Sequence, residues 1–168
     1  MKILNKVVIG MASLCLLTAC GAKKLTYEKF HEKAVEAAKV ENGYTKVTVN
    51  GKAKFVEESD GKKTTVEYEF DKVAIDGFTN GRMDAVTLTA KMVAYGLAGQ
   101  DKEMAALGLA AGTAEVAPNS DKLTYYDFQV DEKDGDYTSS TKFDKNGLPV
   151  SYKFGGSGSG SLTLEWAK

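Results

Sequence analysis

The sequence predicts an α+β fold, in which an antiparallel sheet of about six strands packs its apolar face on helices. Three observations predict it. Residues 26–39 repeat apolar side chains every three to four positions, as an amphipathic helix does. Two strands near residues 47–70 and four from residue 126 onward alternate apolar and polar side chains around Asp-Gly or Asn-Gly pairs. Between these groups, residues 84–117 are rich in alanine and glycine.

The first 19 residues have the layout of a secretory signal peptide. Lys2 and Lys6 supply a positive end, and residues 7–17 form an apolar run. The run is too short to span a bilayer, which takes roughly 20 apolar residues. We therefore expect residues 1–19 to be removed on export.

The apolar run ends in Leu17-Thr18-Ala19-Cys20, which resembles the lipobox of bacterial lipoproteins. In that family the cysteine becomes the first residue of the mature chain and carries a diacylglyceryl thioether. The resemblance implies lipidation at Cys20, a short tether over residues 20–25, and a position on the extracytoplasmic side of the cell membrane. Two or more acyl chains anchor a protein stably, because each buried CH₂ contributes about 0.8 kcal/mol.

Residues 26–168 are enough for a single domain with a hydrophobic core. Its first element is a helix, for which Thr26 is a suitable N-cap and which ends near Lys39. The apolar face of this helix comprises Tyr27, Phe30, Ala34 and Ala38.

Six later segments alternate with a period of two. They lie near residues 47–55, 66–70, 126–130, 137–143, 148–154 and 162–166, with turns at Asp60-Gly61, Asp134-Gly135 and Asn146-Gly147. Each segment has one apolar face, which is typical of an antiparallel sheet with one face in water. Trp166 shares a strand face with Leu162 and Leu164, so we expect it to be at least partly buried.

The alanine-rich segment predicts two helices or one bent helix. Asp84 and Asp101 are suitable N-caps, and Gly99-Gln100 interrupts the segment between them. The first half, from Val86 to Leu97, is apolar nearly all round, so another element must cover it. We expect the apolar face of the sheet to be that cover.

Charge and cysteine usage exclude several classes of function. Removing residues 1–19 leaves 20 basic against 23 acidic side chains, and Arg82 is the only arginine. Such a chain lacks the clustered basic face that nucleic acid requires, so no nucleic-acid partner is expected. Cys15 leaves with the signal peptide and Cys20 carries the lipid, so the domain has no disulfide and no cysteine metal ligand.

No catalytic or metal-binding pattern stands out, so we expect no enzyme, no cofactor and no metal. His31 is the only histidine and lies beside apolar helix positions, which leaves no serine or cysteine triad of the usual kind. The carboxylates of residues 131–136 surround a glycine that is misplaced for an EF-hand loop, and a hairpin turn explains them better. The glycine-serine run at residues 155–161 lacks the Lys-Ser/Thr ending of a phosphate loop.

The order of elements, behind a lipobox, resembles the LolA-like superfamily of envelope lipid and lipoprotein carriers. In that superfamily a curved antiparallel sheet wraps around helices. The segment FDKNGLPVSYKF, residues 143–154, is similar to the paired late strands of such lipoproteins. The resemblance lies in the architecture and implies a half-barrel that binds an apolar ligand, although a fold alone does not determine a function.

Two functions stay open. In the first, the domain binds or carries a lipid-like apolar ligand between the sheet and the middle helices. Its candidate lining residues are Tyr68, Phe70, Ala90, Met92, Ala94, Tyr95, Leu97, Tyr126 and Phe128. In the second, the domain has a solid core and is a non-enzymatic interaction or scaffold module for another envelope protein. A cavity between sheet and helices favours the first function, and a filled core with an exposed apolar patch favours the second.

Overall fold

Within residues 23–113 and 119–168, which the computed structural model describes, the chain forms one antiparallel sheet of eight strands and three helices. The strands are β1 (Lys24–Leu25), β2 (Lys46–Ser59), β3 (Lys62–Asp76), β4 (Leu123–Tyr126), β5 (Gln129–Asp134), β6 (Tyr137–Phe143), β7 (Pro149–Gly155) and β8 (Ser159–Ala167). The helices are α1 (Tyr27–Lys39), α2 (Ala85–Leu97) and α3 (Asp101–Thr113). The strand order is β1-β4-β5-β6-β7-β8-β2-β3. The predicted α+β class with an antiparallel sheet is confirmed.

The strand count is eight, so the prediction of about six was too low. One added strand is β1, a two-residue strand in which Leu25 pairs with Tyr125 of β4. The other arises because residues 126–130, expected as one strand, contain a hairpin turn. Tyr126 pairs with Gln129 across that turn, which leaves Asp127 and Phe128 as its two central residues. Neither central residue is glycine or asparagine, so the sequence lacks the usual sign of a tight turn.

A single row of paired residues crosses the whole sheet and shows which side chains share a face. The row runs Leu25, Tyr125, Val130, Thr141, Tyr152, Leu162, Gly51 and Phe70. Directly paired residues of neighbouring strands point to the same side of a sheet. Elements that pack on Tyr125 and elements that pack on Phe70 therefore cover the same face at its two ends.

Helix α3 covers the β2, β3 and β8 end of this face. Its residues Ala106, Leu107 and Ala110 are fully buried in a cluster with residues of those three strands. Small alanine side chains let the helix approach the sheet closely, and Leu107 fills the remaining space. Trp166 is partly buried against the same cluster, as predicted, and its indole N–H donates to the Pro149 carbonyl over 2.8 Å.

Helix α2 does not cover the sheet as α3 does. The expectation that the sheet covers the alanine-rich helices therefore holds only for α3. Helix α2 packs beside α3, and none of its residues is buried. Leu88 and Tyr95 contact the margin of the core cluster. The break between the two helices falls at Gly99, whose φ of 66° reverses the chain where the sequence predicted it. No helix among the described residues is long and apolar enough to cross a membrane.

Helix α1 covers the other end of the same face. Thr26 caps it as predicted, because its hydroxyl oxygen accepts a hydrogen bond from the Lys29 amide at 3.4 Å. Phe30 is buried against Tyr125, with the two ring centroids 5.0 Å apart. The predicted signal peptide, Cys20 and residues 114–118 of the alanine-rich segment lie outside the described residues.

Candidate ligand-binding pocket

The residues predicted to line a cavity between the sheet and the middle helices are divided among three places. Phe70 is 2% exposed in the main core, and Tyr68 and Tyr95 are partly buried against that core. Four residues of α2 are exposed instead, namely Ala90, Met92, Ala94 and Leu97. Tyr126 and Phe128 lie at the opposite end of the sheet. The expected position for a ligand is thus occupied by the buried side chains of α3.

A different cavity, of about 60 Å³, lies between α1 and the turns at one end of the sheet. Its walls come from α1 and from the turns at residues 80–82, 126–128 and 146–148, with Phe143 beside them. We name it the Phe128 pocket. It includes two of the predicted ligand-binding residues, Tyr126 and Phe128.

The α1 wall of the Phe128 pocket is built from one large and several small apolar residues. Phe30 is the large residue, while Ala34, Ala37 and Ala38 supply little volume along the helix. The helix nevertheless lies close to the β6–β7 turn, because a Cβ atom placed on Gly147 would lie only 2.9 Å from that of Ala37. Small residues along a helix whose position is set elsewhere leave a gap that side chains do not fill.

Phe128 stands at the pocket with an unusual backbone. Its φ is 56°, in the left-handed region, which is a true outlier for a bulky residue. The residue is 44% exposed, and the Lys33 ammonium lies 5.8 Å from the ring centroid. Lys33 also forms an ion pair with Asp127 at 2.7 Å. Backbone conformations of this kind are found often at functional sites, which makes Phe128 a candidate site residue.

The third wall is a tight turn that is fixed from several sides. Thr79 and Arg82 exchange two backbone hydrogen bonds of 2.6 and 3.0 Å around Asn80 and Gly81, both of which have positive φ. The Asn80 side-chain oxygen accepts from the Gly43 amide at 2.8 Å. A side chain at Gly81 would collide with Leu148, so only glycine lets the turn approach so closely.

The hydroxyl groups on the helix-covered face of the sheet are not candidate bases. Tyr137 and Tyr152 join their hydroxyls over 3.0 Å. Burial raises the pKa of Tyr152 far above its ordinary range, and the hydrogen bond to Tyr137 adds to the shift. Burial also raises the pKa of Tyr68 and of Tyr125. These three phenols therefore stay protonated near neutral pH and cannot accept a proton from a substrate.

A second unusual surface lies on α2. Val86, Val93 and Leu97 are 80%, 55% and 85% exposed, and Ala90 lies between them. The positions 86, 90, 93 and 97 follow the alternating four- and three-residue spacing of a coiled-coil seam. We name these four residues the α2 stripe. It lies on the side of α2 opposite to Leu88 and Tyr95, which face the core.

Comparison of the chain with family models, with curated proteins and with solved structures finds no match. The Phe128 pocket and the α2 stripe are the two candidate functional sites of the described residues.

Sequence reasoning missed Lys33, Arg82 and the three turns as parts of a site. One signal was present, since Asn80-Gly81 is a typical hairpin pair directly before the only arginine of the chain. The meeting of the three turns with α1 depends on pairing between distant strands, for which no local pattern exists. Among the described residues, no group of three or more His, Cys, Asp or Glu side chains could hold a metal ion.

Proposed function

We propose that this chain is a bacterial envelope lipoprotein, anchored through Cys20, whose domain binds a small lipid-like ligand in the Phe128 pocket. The motif Leu17-Thr18-Ala19-Cys20 supports the anchor. As part of the same proposal, the sheet belongs to the LolA-like half-barrel architecture, since α1 and α3 cover a single face of it. The observation that carries the ligand is the pocket, with an apolar α1 wall and a strained aromatic residue at its side.

The dimensions of the Phe128 pocket suit a short apolar chain. One water needs roughly 10–15 Å³ of such space, so the cavity of about 60 Å³ has room for several waters or a few methylene groups. Waters along Phe30 and Ala34 would find few polar partners, so an alkyl group is favoured there. The exposed ring of Phe128 can cover the part of the chain that extends out of the cavity.

The anchor is tested separately from the pocket. Wild-type protein expressed in a bacterial host should incorporate radioactive palmitate, and Cys20→Ala should not, with uncleaved precursor accumulating instead. Palmitate labelling that persists in Cys20→Ala would rule out lipidation at this residue.

The pocket is tested by binding of a neutral alkyl probe. Octanol added to the full chain carrying Cys20→Ala should shift the amide NMR signals of Phe30, Phe128 and Leu148. Ala34→Leu should abolish the shifts, because the added side chain occupies the cavity. Ala90→Leu makes the same change on the exposed side of α2 and should leave binding intact. Octanol shifts that are absent, or that survive Ala34→Leu in a folded protein, would contradict this site.

The α2 stripe favours a second candidate function, an interaction module whose partner is a second copy of this chain. The stripe carries no charge and complements itself in an antiparallel pair, where Leu97 faces Val86 of the other copy and Ala90 faces Val93. Leu97→Glu should then shift the protein toward the monomer in sedimentation experiments, whereas Val56→Glu, at an exposed strand position, should not. A protein that is monomeric at all concentrations would exclude this function.

A further inference from the structure

Arg82 at the Phe128 pocket is a cation that forms no ion pair with another of the described residues. The described residues contain six ion pairs, and each of them uses a lysine. Arg82 takes part in none, although it is the only arginine of the chain and lines the pocket. Since a guanidinium is always charged, this side of the cavity carries a permanent positive charge, while the α1 side is lined mainly by apolar residues.

The other charged groups of the pocket cancel each other. Lys33 and Asp127 are joined at 2.7 Å, so together they contribute no net charge. Lys33, Arg82 and Asp127 are the charged residues that line the pocket, which leaves the charge of Arg82 as the net charge of the site.

The backbone presents Arg82 in a fixed position. Two hydrogen bonds to Thr79 hold its main chain, and the turn is further fixed by the bond from the Gly43 amide to Asn80. The turn also packs tightly on Leu148, which is 3% exposed and lines the same pocket. The Arg82 side chain is exposed at the pocket, where a guanidinium can form two parallel hydrogen bonds to the oxygens of a carboxylate or phosphate.

From these observations we infer that the ligand of the Phe128 pocket is an amphiphile with an oxyanion head group, which Arg82 binds while the alkyl part lies against α1. The inference rests on the proposed function, because it assigns the polar end of the same ligand. An apolar wall next to one uncompensated guanidinium matches an alkyl carboxylate or an alkyl phosphate, and it matches a neutral lipid less well.

The test compares three probes of equal chain length, octanoate, octyl phosphate and octanol, by NMR titration of the full chain carrying Cys20→Ala at pH 7. We expect at least one anion to bind ten-fold or more tightly than octanol, and the tighter anion identifies the head group. Raising the salt concentration should weaken binding of the anion and leave that of octanol nearly unchanged.

Arg82 variants assign the effect to one side chain. Arg82→Met should reduce anion binding to the level of octanol without changing octanol binding, and Arg82→Lys should retain part of the anion preference. Lys62→Met removes a positive charge at the distant β2–β3 hairpin and should have no effect. Equal binding of octanol and both anions, or full anion binding by Arg82→Met, would overturn the oxyanion inference and leave the pocket intact. If none of the three probes binds, the ligand-binding function itself is wrong.

Discussion

Replacing Phe128 by alanine and by glycine measures the strain that marks the pocket. Both variants remove the ring and its contact with Lys33, so the lost side-chain interactions are nearly the same. They differ in the backbone, because alanine must still adopt a φ of 56° whereas glycine adopts that conformation freely. The stability difference between the two variants therefore isolates the conformational term.

The expected magnitude follows from two opposing terms. A left-handed conformation destabilises an L-residue by roughly 1–2 kcal/mol, which glycine avoids. Glycine loses about 0.5–1 kcal/mol more conformational entropy on folding than alanine does. Phe128→Gly should thus be more stable than Phe128→Ala by about 0.5–1 kcal/mol. At Val56, an exposed strand position whose φ is not positive, the order should reverse, with Val56→Gly the less stable by roughly 0.5–1 kcal/mol.

Urea unfolding followed by the fluorescence of the single tryptophan, Trp166, provides the assay. With a denaturant slope of about 2 kcal/mol per molar, the Phe128 pair should differ in midpoint by about 0.3–0.5 M. Octanol binding should weaken in both variants, because both lack the ring. The glycine variant should therefore be a poor binder although it is the more stable of the two. If Phe128→Ala matches or exceeds Phe128→Gly in stability while the Val56 pair behaves as expected, Phe128 is not strained and no longer marks a functional site.

Three further predictions concern the rest of the domain. Trp166→Ala should lower the free energy of unfolding by about 2–4 kcal/mol, because the partly buried ring packs edge-on against Phe78. The variant has no tryptophan, so its urea unfolding is followed by circular dichroism, and a loss below about 1 kcal/mol would contradict this packing. Gly160→Ala should destabilise by about 1–3 kcal/mol, since the added methyl meets the Phe154 ring, and adding Phe154→Leu should recover part of that loss. Hydrogen bonds from the Thr87 hydroxyl and amide hold the pKa of Asp84 in the folded protein below its ordinary value of 3.8. The stability that Asp84 contributes is therefore fully present above pH 3.8 and is lost as the pH falls through the lowered pKa of the folded state. Asp84→Asn keeps a good cap at pH 7 and should lose less stability than wild type in unfolding measurements between pH 4 and 2.

Helices and strands are predicted well where the local sequence shows both their periodicity and the residue at which they begin or end. Thr26 ahead of an amphipathic segment predicts α1, and Asp60-Gly61 between alternating segments predicts the β2–β3 hairpin, in which both turn residues have positive φ. The position of α2 is harder to predict for a physical reason. A helix that is apolar nearly all round must be covered, but its pattern does not say by which neighbour or on which side. In this fold α3 packs on the sheet, and the α2 stripe on the outer side of α2 stays exposed.

The turn at Asp127 and Phe128 connects the main error in the strand prediction with the site. Alternation across residues 126–130 favours one continuous strand, and no glycine or asparagine at the centre argues against it. The chain turns there nevertheless, and the bulky residue at the second central position occupies a conformation that its side chain disfavours. Sequences agree with their folds at most positions and depart from local rules mainly where function requires it. The turn places the exposed Phe128 beside a cavity and beside the ion pair of Lys33 with Asp127. This departure is therefore the strongest reason to place the proposed ligand at the Phe128 pocket rather than beneath the alanine-rich helices.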